Sequence, residues 1–376
     1  MVVMSQPPLL IAGGGIAGIA AALAAASAGR DAAVFERAAA FEEVGAGLQL
    51  GPNAVKALQR IGAWDDVSEI ATSPPAIVMR DAMSGAVVRR VPLAGHFERM
   101  FGAPYRVAHR ADLHGALLAA AARQSRISVS GGHAVTEVAP SAQEVLITLQ
   151  TGETRRGDAL VVADGMRSGL RQKMWPGSAS VFAGQIIHRA LIPMPAALRD
   201  GDCVNLWMGH GFHAVHYPVG HQGRLNIVLV AHEGQSPEDI AYCCCLPLQD
   251  VIAQVPSWLP WEARHVPVLD TWVKGRVLLL GDAAHGTVPY FAQGSAMALE
   301  DAALLAAILQ DAGGQVPNFA RFNERMARVL AVHQASVRQG RIYSASGVMA
   351  MGRNAALRLM PEQRFLAQLG WIYKHG

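Results

Sequence analysis

The sequence predicts an α/β fold in two parts: a domain built on a parallel sheet and discontinuous along the chain carries an inserted β-sheet-rich domain, and helices close the C-terminus. Three observations predict it. An apolar run, PLLIA, ends in the glycine cluster Gly13, Gly14, Gly15 and Gly18, and an alanine-rich helical stretch and a second apolar run, DAAVFER, follow. Such a βαβ unit needs parallel strands, a crossover helix and a sheet buried on both faces. From about Val181 to Glu233 the pattern changes to apolar or alternating runs separated by Gly and Pro, which are strand and turn signals. A buried strand then returns at RVLLLGDAAHG, so the first domain resumes after the insertion.

The elements follow in order. IAGIAAALAAASAG is a helix closed by Gly29, and the second strand ends at Glu36. GPNAVKALQRIG is a helix entered through Pro52 and stopped at Gly62, and ADLHGALLAAAAR is another. EVLITLQTGETRRGDALVVADG alternates and turns at Thr151-Gly152, which predicts a β-meander before a strand that stops at Asp164-Gly165. VFAGQIIHRALI, CVNLWMG, FHAVHYPV and RLNIVLVAHE are the strands of the insertion. A long helix over AQGSAMALEDAALLAAIL, a more polar one from about Asn318 to Tyr343 and a short helical tail complete the chain, which shows no internal repeat. The expected boundaries are 1–72, 101–176 and 267–345 for the discontinuous domain, 73–100 and 177–266 for the insertion, and 346–376 for the tail.

Composition narrows the function. A chain of 376 residues, 51% hydrophobic and 16% charged, has ample material for a large core and about two domains. A net charge of +3, with its Lys and Arg scattered, argues against a phosphate-tracking surface and hence against nucleic acid as a partner. Four cysteines, three adjacent at Cys243 to Cys245, form neither a disulfide framework nor a zinc pattern; they read as buried helix or loop packing, with no metal site and a reducing cytosol. Leu9 to Gly29 is apolar and of roughly membrane-spanning length, but its glycine cluster, small residues and lack of a preceding basic residue argue against a membrane or signal segment.

Gly13, Gly15 and Gly18 form GxGxxG between a strand and a helix, where glycines allow a tight turn and close approach of backbone to a pyrophosphate. The helix N-terminus offers unpaired N–H groups and a positive dipole end. Glu36, ending the next strand, can accept from ribose hydroxyls; packing glycines and a surface glutamate are the competing reading. Asp164 in ALVVADGMRS and Asp282 in RVLLLGDAAHG stand at carboxyl ends of apolar strands, where α/β sheets hold ligands, although either alone is also a common turn or helix cap. On a strand, FHAVHYPV puts His213, Val215 and Tyr217 on one face and His216 on the other. A histidine and a phenol so placed can bind a substrate hydroxyl and take its proton; an ordinary polar edge strand is the alternative.

In this order, GGGIAG with Glu36, HRADLHGALL around Arg110, VVADGMRS and LLLGDAAHG resemble the class A flavoprotein monooxygenases, the p-hydroxybenzoate hydroxylase-like family. The resemblance runs from VGAGLQLGPNAVKALQRIG to LGWIYKHG and implies a Rossmann-like (GR2-type) FAD-binding domain carrying a substrate domain. It implies that Gly13, Gly15 and Gly18 hold the FAD pyrophosphate, and that Glu36, with Arg37 beside it, meets the adenosine ribose. It implies further that Arg110 and Asp282 contact the phosphate and ribityl region, and that Asp164 belongs to a motif shared by FAD and NAD(P)H. By the same resemblance, the turn from Pro289 to Ser295, with Gly294, would aim N–H groups at the N1 and O2 edge of the flavin.

There the sequence departs from the commonest family pattern, GQGAN, with Ala292 for a glycine and Ala296 for an asparagine. The AQG form resembles a subgroup that includes 3-hydroxybenzoate 6-hydroxylase, 6-hydroxynicotinate 3-monooxygenase and salicylate hydroxylase, and that carries the His213 and Tyr217 pair. Tyr290 is a third candidate for the substrate pocket, Gln293 equally reads as a turn residue, and His285 reads as structural. The activity implied is NAD(P)H-dependent hydroxylation of a small aromatic or heteroaromatic acid by dioxygen through a flavin C4a-hydroperoxide. With no second GxGxxG, NADH or NADPH binds transiently to a cytoplasmic monomer or homodimer. A nicotinamide dehydrogenase, a related flavin oxidase, halogenase or reductase, and an FAD sensor are the rival classes.

Overall fold

The computed structural model describes residues 7–40, 46–196, 198, 200–220 and 223–375; Val44 and Gly45, which open the VGAGLQL motif, lie outside them. Five parallel strands lie in the order Val277–Leu279, Ala159–Val162, Leu9–Ala12, Ala32–Phe35 and Ile127–Ser130, with Val273–Lys274 antiparallel at one edge. Leu9–Ala12 and Ala159–Val162 are wholly buried, as strands covered on both faces must be. Helix Ile16–Ser27 packs on helices Gly294–Ala312 and Arg110–Ala122. Its buried alanines, Ala20 to Ala25, let the neighbouring backbones come close. The apolar stretch from Leu9 to Gly29 is thus a strand, a turn and a helix, and among the described residues no helix is long and apolar enough to cross a membrane.

The second sheet has seven strands in the order Leu259–His265, Val181–Pro193, Arg224–His232, Phe212–Val219, Val204–Met208, Ala76–Asp81 and Val87–Pro92. It joins the 76–92 hairpin to strands more than a hundred residues later, through parallel pairing of Ala76–Asp81 with Val204–Met208. Phe212–Val219 is hydrogen-bonded on both sides and is therefore not an edge strand. Its two faces have different fates. Phe212 and Ala214 pack under helices Pro237–Tyr242 and Leu246–Ala253, whereas His213, Val215 and Tyr217 face a crevice between the two sheets.

Several expectations need correction. The insertion does not finish its strands at Glu233, because Leu259–His265, a largely exposed and partly charged segment, adds an edge strand. The stretch from Asn318 to Tyr343 is two elements, a 3₁₀ turn at Phe319–Arg325 and a helix at Met326–Tyr343. Of the adjacent cysteines only Cys244 is buried, while Cys243 is exposed, since helix Pro237–Tyr242 ends there at the surface. The tail is three helices, Gly347–Leu359, Glu362–Gln368 and Gly370–Tyr373, and it walls the crevice instead of trailing from it.

His216, on the outer face, is buried with neither ring nitrogen hydrogen-bonded, 6.1 Å from the Trp207 ring. Burial, reinforced by the Arg80 charge, pushes its pKa down to about 3. The folded state keeps this imidazole neutral while the unfolded chain protonates it near pH 6.5. Folding stability is therefore fully present above about pH 6.5 and declines as the pH falls toward 3. His216→Phe, similar in shape and free of unpaired nitrogens, is expected to lose less of its thermal midpoint than the wild type between pH 7 and pH 5. Equal losses in a calorimetric pH series contradict this assignment.

Candidate active site

The carboxyl ends of the parallel strands bring the glycine turn, Asp164 and Asp282 to one edge of the sheet. Gly13 has φ +105, and a Cβ there would lie 2.4 Å from the Ala163 carbonyl oxygen. A Cβ on Gly18 would lie 1.9 Å from the Gly13 oxygen. These two glycines are thus demanded by the protein's own packing. Gly15 differs: its φ is ordinary and extended, and a Cβ added there would meet nothing within 4 Å, so its bare face is left open to a ligand.

Helix Ile16–Ser27 begins at Gly15 with no side-chain cap and no acidic residue in its first turn. Its first N–H groups therefore remain available to an anion. Glu36 accepts from the Gly14 N–H at 2.7 Å and the Ala38 N–H at 2.9 Å, which orders the turn and leaves lone pairs for a ribose. His114, buried, fixes the adjoining helix by a 2.7 Å contact from Nε2 to the Gly14 carbonyl. Arg37 and Asp164 are exposed and do not line the crevice.

The crevice holds about 1280 Å³. That exceeds the ~300–1,000 Å³ of common small-ligand sites, enough for a ring cofactor and a substrate together. Arg110, Asp282, Pro289, Gly294 and Ser295 line it, together with His213, Tyr217 and Tyr290. Here the chain makes a 3₁₀ turn, Pro289–Phe291, then places Ala292 at φ 50 before helix Gly294–Ala312. A left-handed alanine costs roughly 1 kcal/mol, so the turn is held by its surroundings.

Those surroundings are a buried polar network. Asn53 Nδ2 donates to Gln293 Oε1 at 2.9 Å and to Glu300 Oε1 at 2.6 Å. Glu300 is ion-paired with Arg325 at 3.0 Å and Arg328 at 2.6 Å, and Asp301 with Arg325 at 2.7 Å. Asp301 also meets His285 Nε2 at 2.6 Å and accepts the Gly281 N–H at 3.0 Å. Burial alone pushes both carboxyls up, but their cationic and hydrogen-bonding partners hold them below the ordinary carboxylate range. Arg328 reaches on to the Trp371 carbonyl at 2.8 Å. One charged cluster thus braces the Asp282 turn, the Gln293 turn and the tail, which gives His285 a structural place.

Within the crevice, His213 lies between two phenols, with ring centres 5.4 Å from Tyr290 and 5.5 Å from Tyr343. Burial pushes its pKa down to about 4 and pushes Tyr290 and Tyr343 up to about 12. Burial raises Tyr217 also, against the pull of Arg189 and of Gln49. Near neutral pH the imidazole is therefore an uncharged proton acceptor among protonated phenols. Gly340 makes room for Tyr290, since a Cβ there would meet the ring at 2.7 Å.

Sequence reasoning missed several lining groups. Tyr105 donates to Gln49 Oε1 at 2.5 Å, and Gln49 also hydrogen-bonds Tyr217. Arg189 lines the crevice with its guanidinium 5.5 Å from the Trp261 ring centre and no ion pair among the described residues. An arginine within the alternating run IIHRALI was a signal for it. Tyr343 and Tyr373 gave none, because only the tail's packing brings them in.

A family model described as an FAD binding domain matches residues 7–238 and 249–314. The chain is 33% identical to a 3-hydroxybenzoate 6-hydroxylase of Polaromonas naphthalenivorans (strain CJ2), over 97% of this chain and 95% of that one. It is 31% identical to a 6-hydroxynicotinate 3-monooxygenase of Bordetella bronchiseptica, over 82% and 84% of the two chains. Klebsiella pneumoniae HpxO complexed with FAD and uric acid has a similar structure, with TM-score 0.84, 26% identity and coverage of 96% and 95%. A salicylate hydroxylase substrate complex shares the fold at TM-score 0.81 and 22% identity, over 99% and 96% of the chains.

The glycines make separable predictions. Gly13→Ala is expected to lower the thermal midpoint of the apoprotein, because the new methyl meets backbone. Gly15→Val is expected to leave that midpoint nearly unchanged and to abolish dinucleotide retention, read from the flavin absorbance of the purified protein. A Gly15→Val protein with normal flavin content contradicts the placement of the pyrophosphate.

Proposed function

The chain belongs to the FAD-dependent aromatic-ring hydroxylases, and on that premise we propose that it hydroxylates a small aromatic acid carrying a ring hydroxyl, at the expense of NAD(P)H and dioxygen. The glycine turn fits FAD: its ligand-facing position is bare, its helix N-terminus is uncapped, and Asp282 and Ser295 line the same crevice as His213 and Tyr217. Bound FAD supplies the reduction by NAD(P)H and the activation of dioxygen.

The observation that carries the reading is the neutral, buried His213 on one strand face with Tyr217, beside Tyr290. His213 takes the proton of the substrate hydroxyl, which enriches the ring in electrons where oxygen attacks. Tyr217, kept protonated, donates a hydrogen bond and holds the ring's orientation, with Gln49 and Tyr105 fixing the phenol in turn. Arg110 and Arg189 balance the negative charge of cofactor and acid. The apolar walls, among them Ile187, Leu206 and Val230, exclude water from the reacting centre. Gly15 faces the pyrophosphate in a turn that Gly13 and Gly18 permit, Glu36 meets the ribose with Arg37 at the rim, Asp282 meets the hydroxyl-bearing linker, and Asp164 belongs to the stretch shared by FAD and NAD(P)H. The turn of Pro289, Gly294 and Ser295 faces the flavin edge. A cytosolic setting suits the reduced nicotinamide cofactor and the free cysteines found among the described residues.

3-Hydroxybenzoate, 6-hydroxynicotinate and salicylate are the acids to try first, for their likeness to the substrates in the relatives' names. At least one is expected to stimulate NAD(P)H oxidation with a hydroxylated product seen by mass spectrometry. Stimulated oxidation that yields only hydrogen peroxide with all of them opposes the proposal. His213→Ala is expected to lower turnover about 100-fold or more with FAD retained. Tyr217→Phe is expected to do less. The acid limb of kcat/KM belongs near pH 4, since His213 of the free enzyme remains an acceptor until protonated there; a limb near 6.5 in the wild type, or full coupled turnover in His213→Ala, rules out that residue as the base.

A further inference from the structure

Resting on that reading, we propose that Arg338 and Trp371 form a port that recruits the anionic aromatic acid and admits it to the crevice. A surface hollow of about 290 Å³ lies between helix Met326–Tyr343 and the last helix, Gly370–Tyr373, lined by Ala331, Gln334, Ala335, Arg338 and Trp371. Ala335, Arg338 and Trp371 also line the main crevice, so the two spaces are parted by a single layer of side chains. The hollow has the size of a one-ring acid.

Charge at the surface favours this opening, since Arg189, the arginine beside Trp261 at the other mouth with no ion pair among the described residues, lies inside the crevice. At the mouth beside the edge strand Leu259–His265, Glu262 already holds Arg264 at 2.6 Å and Arg167 at 3.6 Å. On the long C-terminal stretch, Arg325 and Arg328 are consumed by Glu300 and Asp301. Arg338 is exposed and has no ion pair among the described residues, so its field is open to an incoming carboxylate. Aromatic surface continues inward: the Trp371 ring is 6.4 Å from Phe291, whose neighbour Tyr290 is 5.4 Å from His213. Arg328 holds the Trp371 carbonyl, so the port's floor is tied to the buried cluster that braces the cofactor turn.

The test is the association rate of 3-hydroxybenzoate with the FAD holoenzyme, followed by stopped-flow flavin absorbance at low and high salt. Arg338→Ala is expected to slow association at least about three-fold at low salt, with the gap closing at high salt. Trp371→Leu is expected to slow it at both. Arg358→Ala, which removes the same charge from an exposed position on helix Gly347–Leu359 that lines neither space, is expected to match the wild type. Equal low-salt rates for wild type and Arg338→Ala overturn the port, as does an equal slowing in Arg358→Ala, which reports net charge alone. A wild-type holoenzyme whose flavin spectrum responds to no aromatic acid overturns the underlying reading instead.

Discussion

The architecture depends on one contact that a single methyl group would forbid. The Ala163 carbonyl occupies the space beside Gly13 that any side chain would need, so the strand ending at Ala12 and the strand ending at Val162 can run side by side to their tips. Gly281 repeats the device at the third strand, where a Cβ would lie 2.8 Å from Ala17. The absence of side chains at these points lets three strand ends and a helix N-terminus share one edge. Everything placed there, from the open face of Gly15 to Asp282, inherits its position from that approach.

A second constraint joins the halves. The Glu300 and Asp301 pair is buried and would be costly if unpaired, yet Arg325, Arg328, His285, Asn53 and the Gly281 N–H satisfy it. The cluster fixes the Asp282 and Gln293 turns and reaches the tail, whose aromatic residues line the crevice. The strained Ala292 is tolerable in that setting, since its neighbour Gln293 is anchored through Asn53. Burial keeps His213 neutral although Arg189 lines the same crevice.

Local regularities were legible in the sequence. Glycine spacing placed the turn, apolar runs placed four of the five parallel strands but not the polar edge strand Ile127–Ser130, and alternation on FHAVHYPV separated His213 and Tyr217 from His216. Long-range organisation was not. Leu259–His265 is a strand only because Val181–Pro193 offers it an edge, and its own residues are mixed and exposed. Asn53 and Glu300 are 247 positions apart, and their contact leaves no periodic trace in either helix. Arg189 stood out as a charge in an apolar run, whereas Tyr343 and Tyr373 join the crevice only through the folding back of the tail. The three cysteines misled because composition cannot tell a buried helix end from an exposed one.

The central claim is that a flavin seated at the shared strand edge delivers oxygen across the crevice to a ring held by His213. Isotopically labelled dioxygen tests it most directly, with the product of the best aromatic acid analysed by mass spectrometry. The account predicts one labelled oxygen atom in each hydroxylated product and none when only the water is labelled. A product labelled from water, or labelled dioxygen recovered wholly as peroxide and water, contradicts it.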